Sequence, residues 1–451
     1  MKNNLLYKPE DIFPSLRDDA EVDNLLNNDV YKFFMLDFVL AHPEYRWTPV
    51  RWKMTIRNNN IRTADVIPEE KLERQLKLTQ EKIQGVSESD LSYLRGMTDS
   101  QGKRMFREET LSFLRDFKLP EFHMKKVGNN YQLEFEWPWE NSMIWEIFGL
   151  KIINSLYLSE YIKKEEITDV EFTQIINQVL GRLFEDIDIL KSCGEANFSE
   201  FGTRRSMSTN FQRLINEILS EKLPGQYVGT SNVLIAKELG SANPKWTNAH
   251  ELRMIPTALI DDPEEIVREM YEIDRKWWKH NPELGILLPD TYGTSYYLKH
   301  APEDIILSHS GMRFDSKDPM EAIPEYIDWL LKHEQNPLEK VGIPSDGLDA
   351  QKVVEITNTF HKKLWKLTFW VGTNLTNNTK WTWPRSTEKH GPFGSFSVVV
   401  KPSEVQRPDG RWVSTVKLSD NPTKAVWSPE RVALFKKIFG AQWMSAHNVS
   451  V

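Results

Sequence analysis

From Phe198 to Thr376 the chain repeats one theme: a short apolar run, a polar loop, then a segment with the period of an amphipathic helix. After Phe201-Gly202-Thr203-Arg204-Arg205, the residues Phe211, Leu214, Ile215, Ile218 and Leu219 recur at helical spacing. They predict one apolar helix face, with Ser206 or Ser208 as the cap. Gly229-Thr230-Ser231-Asn232 precedes a second helix, Val233 to Leu239, stopped by Gly240. Gly285-Ile286-Leu287-Leu288 reads as a buried strand that leads to Asp290-Thr291. Ile305-Ile306-Leu307 leads into Gly311-Met312-Arg313-Phe314-Asp315, and Asp318-Pro319 opens a helix turning Ile323, Tyr326, Ile327, Leu330 and Leu331 inward. Ser345-Asp346-Gly347 precedes a helix carrying Val353, Val354 and Ile356, and Leu367 to Val371 runs into Gly372-Thr373. Strands alternating with helices predict a parallel βα architecture. An irregular βα barrel is the expectation, with an open doubly wound sheet as the alternative; either gathers its strand-to-helix loops on one side.

Outside this stretch the pattern changes. Asn130 to Leu150 alternates apolar and polar residues as a half-buried strand does. Ser395 to Lys401 and Trp412 to Lys417 form a hairpin pattern around Pro408-Asp409-Gly410. The expected division is an N-terminal α+β domain over 1–150, an α/β barrel over 151–390, and C-terminal strands and helix over 391–451 that pack with the first domain. The stretches Asn58 to Arg95 and Asn374 to Lys389 read as surface elaborations.

Composition narrows the class. The chain has 451 residues, 40% hydrophobic, enough for a large core. A net charge of -8 gives no general attraction to nucleic acid or anionic membranes. One cysteine, Cys193, rules out an intrachain disulfide and any cysteine-cluster metal site. No apolar run reaches the ~18 residues of a membrane span, and the start lacks a secretory core. A soluble, cytoplasmic protein is expected, with the 16 tryptophans serving mainly as packing.

The junction loops carry Arg204, Arg205, His250, Arg313, Asp315 and Asp346 among Gly, Ser, Thr and Asn. Guanidinium forks, hydroxyls and backbone N–H groups freed by glycine suit phosphate. Carboxylates in the same cluster imply either Mg²⁺ or a developing cation on the substrate. The residues alone point to an enzyme acting on a phosphosugar or a nucleotide.

Taken together and in order, Asn28-Asp29-Val30-Tyr31-Lys32, Glu200 to Arg205, Gly229 to Asn232, Ala249-His250-Glu251, Gly311 to Pro319, Ser345 to Asp349, Gly372-Thr373 and Lys417-Leu418-Ser419-Asp420 resemble the nicotinate phosphoribosyltransferase family. The resemblance spans residues 28 to 420. It implies a type II phosphoribosyltransferase barrel, and transfer of ribosyl-5-phosphate from phosphoribosyl pyrophosphate to nicotinate in NAD salvage. ATP and Mg²⁺ are implied as cofactors, with His250 phosphorylated by ATP. A homodimer with shared sites is implied too, the segment of Asp29, Tyr31 and Lys32 completing the partner's site and Tyr31 stacking on the pyridine.

The resemblance further assigns His250, Arg313 and Asp315 to catalysis, Arg313 on phosphate and Asp315 facing ribose or pyridine. Substrate binding falls to Phe201, Gly202, Thr203 and Arg204, to Thr230, Ser231 and Asn232, to Ser345, Asp346 and Gly347, and to Gly372 and Thr373. Arg205 is the weaker partner of Arg204, since adjacent residues do not easily share one ligand. Asp346 suits ribose hydroxyls or a magnesium-bound pyrophosphate, and no metal ligand set is specified. Two departures stand out: Lys317 replaces the glycine of the family's Asp-Ser-Gly-Asp-Pro loop, and Trp246 stands where many members carry glycine.

Three other readings compete. Transfer to nicotinamide would favour an acidic acceptor, which the Gly229–Asn232 loop lacks. A silent nucleotide-binding relative would not need His250, Arg313 and Asp315 intact. A βα-barrel phosphosugar isomerase explains the phosphate loops but not the Asp29–Lys32 and Ala249–Glu251 segments.

Overall fold

The computed structural model describes residues 6–57, 60–241, 243–379, 393–420 and 427–440. Three strands come from the N-terminal third: β1 (Pro49–Ile56), β2 (His123–Val127) and β3 (Asn130–Pro138). Six short strands follow: β4 (Asn197–Glu200), β5 (Tyr227–Thr230), β6 (Ile286–Leu287), β7 (Gly311–Phe314), β8 (Val341–Pro344) and β9 (Lys366–Val371). The last two are β10 (Val398–Gln406) and β11 (Trp412–Ser414).

Strands β4 to β9 form one parallel sheet in the order β5-β4-β9-β8-β7-β6. No ladder joins β5 to β6 among the described residues. Residues 245–253 span that gap: Lys245 N donates to Thr230 O at 3.0 Å, and Arg253 Nη1 donates to Leu288 O at 2.8 Å. This is the irregularity of the barrel. Because the strands are parallel, the loops after them emerge on one side, as the pattern predicted.

Strand ends become helix starts through the capping residues of the sequence. Ser208, Asn232, Asp318 and Asp349 each accept a backbone N–H in the first turn of the helix that follows. Burial departs from the predicted faces at two helices. In Thr209–Lys222, Gln212 and Asn216 are fully buried while Leu214 and Ile218 are only partly so, because both amides reach the buried Glu200. In Pro319–Lys332, Leu331 is 59% exposed and Trp329 turns inward instead, its indole donating to Leu298 O at 2.7 Å.

The second sheet is antiparallel, in the order β11-β10-β1-β3-β2. Strand β10 pairs along β1 from Ile56↔Val398 to Val50↔Val405, so the C-terminal hairpin completes an N-terminal sheet. Val50, Trp52 and Met54 of β1 and Tyr131, Leu133 and Phe135 of β3 alternate into the core. The strand expected over 130–150 ends at Pro138; the long helix Trp145–Lys164 follows. That helix is buried almost all round, which explains why its sequence lacks a polar stripe. Its Trp145 stacks on Phe135, ring centroids 5.0 Å apart.

The described part of the stretch from Asn58 to Arg95, residues 60–95, packs into the core and is not a surface elaboration. Its helices Glu69–Lys82 and Glu88–Gly96 carry Leu72, Leu76, Leu91 and Leu94, all fully buried. Of the polar stretch from Asn374, Thr376, Asn377 and Thr379 are buried, and residues 380–389 lie outside the described residues. Leu76→Ala is expected to lose about 2–5 kcal/mol of stability, the usual cost of emptying a leucine site in a core. Urea denaturation measures this, and a loss below about 0.5 kcal/mol, normal for a surface site, would restore the surface reading.

Candidate active site

The loops after β4, β7, β8 and β9 surround a cavity of about 480 Å³, and Arg57 just after β1, strand β10 and Lys417 after β11 close its other side. Phe201, Gly202, Arg204 and Arg205 enter it after β4, Arg313 and Asp315 at the end of β7, Ser345, Asp346 and Gly347 after β8, and Gly372 and Thr373 after β9. His250, Asp29 and Tyr31 also line it. Two glycines have local reasons. Gly347 adopts φ +62°, and a Cβ at Gly202 would collide with the Thr376 side chain.

His250 sits at the mouth of the helix Glu251–Ala258, and both its nitrogens are engaged. Nδ1 lies 3.0 Å from Thr291 Oγ1. Nε2 lies 2.7 Å from Lys417 Nζ and 2.9 Å from Asp315 Oδ2. Burial, followed by the Lys417 cation, lowers the imidazole pKa to about 4. His250 is therefore neutral at pH 7, the form in which an imidazole nitrogen is a nucleophile.

The carboxylates beside it go the other way. Burial pushes Asp315 up, but Arg313, His250 and Lys417 outweigh it and hold the group well below the usual carboxylate range. Arg313 Nη2 donates to Asp315 Oδ1 at 2.6 Å, and Ser345 Oγ donates to the same oxygen at 3.0 Å. Asp315 thus touches His250 and Arg313 and also lines the cavity that a ribose or pyridine was expected to enter. The side chains of His250, Asp290 and Asp315 bring ligand atoms within 4.8 Å of one another. Lys417 Nζ already lies among them, 3.5 Å from Asp290 Oδ2 and 3.8 Å from Asp315 Oδ2. The cluster fits an ammonium, not a metal ion.

A second charged layer lies beneath the cavity. Lys32 Nζ is fully buried between Glu146 and Glu251, 2.7 Å from Glu251 Oε2, and 4.7 Å from the centroid of the Trp52 ring. Burial raises Glu251 to about 7 against the pull of Lys32; at Glu146 burial raises too, but Lys32 and Arg204 prevail and lower it. Arg204 reaches over this layer, 3.8 Å from Glu146 and 4.0 Å from Asp29. Arg205 also lines the cavity, where Asp346 offsets part of its burial cost. The turn Thr203–Arg205 lets both arginines enter, which adjacency alone had argued against.

Several expected contacts fall elsewhere. Lys32 belongs to the buried layer and not to the cavity wall. Thr203 Oγ1 accepts from Gln212, and Thr230 Oγ1 donates to Glu200 at 2.6 Å. Ser231 Oγ donates to Asp29 Oδ1 at 2.6 Å, and Asn232 caps its helix and bonds Asn27. All four are buried supports. The Asp29–Lys32 segment packs on its own chain: Val30 N donates to Ser231 O at 2.9 Å and Val233 N to Asn28 O at 3.0 Å. Lys317 pairs with Glu325 at 2.7 Å, and Trp246 stacks on Phe34. His309 is a packing residue, held to Tyr326 at 2.9 Å.

Other lining residues were given no role by the sequence: Arg57, Glu146 and Lys401, and Lys417, which had entered only as part of its motif. A charge inside an apolar run was the available signal at Glu146, within Trp145-Glu146-Ile147-Phe148, and at Lys401, after Val398-Val399-Val400. Burial and then Lys417 lower the Lys401 ammonium to about 7.

Comparison with known proteins settles the ancestry of this arrangement. The model of the nicotinate phosphoribosyltransferase (NAPRTase) family matches residues 196–442, and that of the family's N-terminal domain matches 26–154. The chain belongs to the nicotinate phosphoribosyltransferase family. Among solved structures, the nicotinate phosphoribosyltransferase of Porphyromonas gingivalis is 20% identical with a TM-score of 0.78, over 93% of this chain and 100% of that one. The nicotinate phosphoribosyltransferase of Vibrio cholerae is 23% identical with a TM-score of 0.77, over 95% of each chain. At these identities the likeness shows a shared fold. No helix among the described residues is long and apolar enough to cross a membrane.

Removing Lys32 tests the buried layer. Lys32→Met leaves Glu146 and Glu251 without their shared cation, and a loss of about 3–5 kcal/mol is expected. Denaturant unfolding measures it; a loss below about 1 kcal/mol, the scale of a surface pair, would show that this layer is not held by its lysine.

Proposed function

We propose that this chain joins nicotinate to the ribosyl-5-phosphate of phosphoribosyl pyrophosphate, with ATP phosphorylating His250, in cytoplasmic NAD salvage. The observation that carries the reading is His250 in the wall of a cavity that Arg57, Arg204, Arg205 and Arg313 also line and that Tyr31, Phe201 and Trp370 frame. Tyr31 and Phe201 offer ring faces to a flat pyridine, and Phe201 is itself backed by Trp370 at 4.0 Å between centroids. Arg204 supplies a guanidinium to the nicotinate carboxylate. Arg57, Arg205 and Arg313, with the backbone of Gly372 and Thr373, surround phosphate groups.

In the transfer the pyridine nitrogen attacks C1 of the ribose as its bond to pyrophosphate breaks. The site contributes position and charge: cations meet the leaving pyrophosphate, and carboxylates such as Asp346 face the cationic sugar. One well-placed donor of this kind is worth about 3 kcal/mol. Where Mg²⁺ accompanies the pyrophosphate, Asp346 and Asp349 are lining carboxylates that belong neither to the Lys417 cluster nor to the acids around Arg204 and Lys32, and hard oxygen donors suit that ion. The ion would neutralise leaving-group charge. In the coupling step the His250 Nε2 lone pair attacks the γ-phosphorus of ATP, and the bond to ADP breaks. Asp29 and Tyr31 line the cavity of their own chain, which supports a site complete within one chain.

The nicotinamide alternative is judged on different residues than the sequence suggested, since Thr230 to Asn232 are buried supports. Of the acids lining the cavity, Glu146 and Asp29 lie 3.8 and 4.0 Å from Arg204, so each already faces a cation, while the Arg204 side chain stays 39% exposed to meet a substrate carboxylate. Product formation from phosphoribosyl pyrophosphate with nicotinate or nicotinamide, each with and without ATP, tests the reading. Nicotinate-specific turnover stimulated by ATP is expected, with the stimulation abolished in His250→Ala. Nicotinamide turnover, or turnover indifferent to ATP and to His250, would overturn it.

A further inference from the structure

The segment Lys417-Leu418-Ser419-Asp420 follows β11 and is bound back onto the barrel at three points. Leu418 N and Ser419 N both donate to Thr291 O, at 2.9 and 3.3 Å. Asp420 accepts from Thr294 N and from Thr294 Oγ1, each at 2.7 Å, and Asp420 N donates to Ser316 Oγ at 3.1 Å. Ser316 Oγ in turn donates to Asp290 Oδ2 at 2.7 Å. The residue this segment delivers is Lys417, whose side chain is 8% exposed and whose Nζ touches His250 Nε2 at 2.7 Å. Thr291 serves both partners: its carbonyl holds the segment, and its hydroxyl meets His250 Nδ1.

Protonation decides what these contacts are. Nε2 carries either a lone pair, which accepts from the Lys417 ammonium, or a hydrogen, which it donates to Asp315. It cannot do both. An ammonium has donors only, so its approach to 2.7 Å is a hydrogen bond only when Nε2 is bare. The proton of the neutral ring then sits on Nδ1 and is donated to Thr291 Oγ1.

We propose that Lys417 is a positioning residue that selects the neutral, Nδ1-protonated form of His250 and so presents a bare Nε2 lone pair to the phosphoryl donor. The proposal rests on the reading of His250 as a phosphorylated residue. With Nε2 bare, the N–P bond forms as the bond from the γ-phosphorus to ADP breaks, and ADP carries the electron pair away. No proton has to leave Nε2 first. Were Nε2 protonated, that hydrogen would have to pass to Asp315 before attack. The charges facing the ring are Lys417 from the C-terminal segment, Asp290 from the loop after β6, and Asp315 from β7, with Arg313 behind Asp315 and Lys401 on β10 beyond Lys417. Without Lys417 the ring keeps its burial but loses the opposing cation, and the two carboxylates pull it toward imidazolium or an Nε2–H ring donating to Asp315.

Selective ¹⁵N-histidine NMR, with His250→Asn used for assignment, reads the tautomer directly and needs no substrate. Wild type is expected to show a proton on Nδ1 and a bare Nε2. A wild-type Nε2–H overturns the proposal whatever the variants do. The rate of His250 phosphorylation by ATP is then followed against pH in wild type, Lys417→Met and Lys417→Arg, with thermal melts to compare folding. In wild type the rate should stay flat through 6.5, the ordinary histidine value, with an acid limb near 4. In Lys417→Met the acid limb should move up by about one pH unit or more, toward 6.5. At pH 5 the rate would then fall to about half of its own plateau or lower. Lys417→Arg should restore the wild-type limb. A merely structural role would lower the rate equally at every pH, and a limb that stays put in Lys417→Met would sink the proposal. If wild type forms no phosphohistidine, the function reading fails, while the tautomer measurement still judges the role of Lys417.

Discussion

A lysine ammonium 2.7 Å from an imidazole nitrogen is the contact around which this site is arranged. It requires a neutral ring, and burial with a cation alongside supplies one. It also requires carboxylates near enough to hold the ammonium, and Asp290 and Asp315 lie within 3.8 Å. Buried charges of this kind are costly unless each has a partner. Each member of the cluster is therefore fastened to another element: Asp315 to Arg313 and Ser345, Asp290 to Ser316, Lys417 to its anchored segment. Even the loop that carries Thr291 is tied to the helix of His250, since Arg253 Nη1 donates to Leu288 O and pairs with the buried Asp274.

The antiparallel sheet is a working part of the site for the same reason. Its β10 brings Lys401, the end of β1 brings Arg57, and the chain after β11 brings Lys417. A barrel alone would leave the anions of the strand-end loops without much of their countercharge. The N-terminal segment contributes from the opposite direction. Asp29 and Tyr31 reach the cavity because backbone bonds pin residues 28–30 to 231–233, and Lys32 neutralises two acids directly below. The Glu200 carboxylate organises the base of the β4 loop, taking Gln212, Asn216 and Thr230.

Much of this was legible in the sequence because it is local. Helical period and caps such as Asn232 and Asp318 depend on a few neighbours, and strand-end loops of a parallel sheet must gather on one side. His250, Arg313, Asp315, Asp346 and Gly372 were found that way, helped by the order of the motifs. The direction of a side chain is not local. Thr230, Ser231 and Asn232 looked like ligand-binding hydroxyls and amides, yet they bond Glu200, Asp29 and Asn27, residues ~30 to ~205 positions away. Lys417 meets His250 across 167 positions. Nothing near either residue announces that pairing. Whether the Asp29–Lys32 segment serves its own chain or a partner is likewise a matter of tertiary path, which periodicity does not carry.

The most direct test of the account is to incubate the protein with ATP labelled in its γ-phosphate, quench in alkali, and map the label by mass spectrometry. The account predicts an acid-labile, alkali-stable phosphoryl group on His250, attached at Nε2. No label, label on another residue, or attachment at Nδ1 would contradict it.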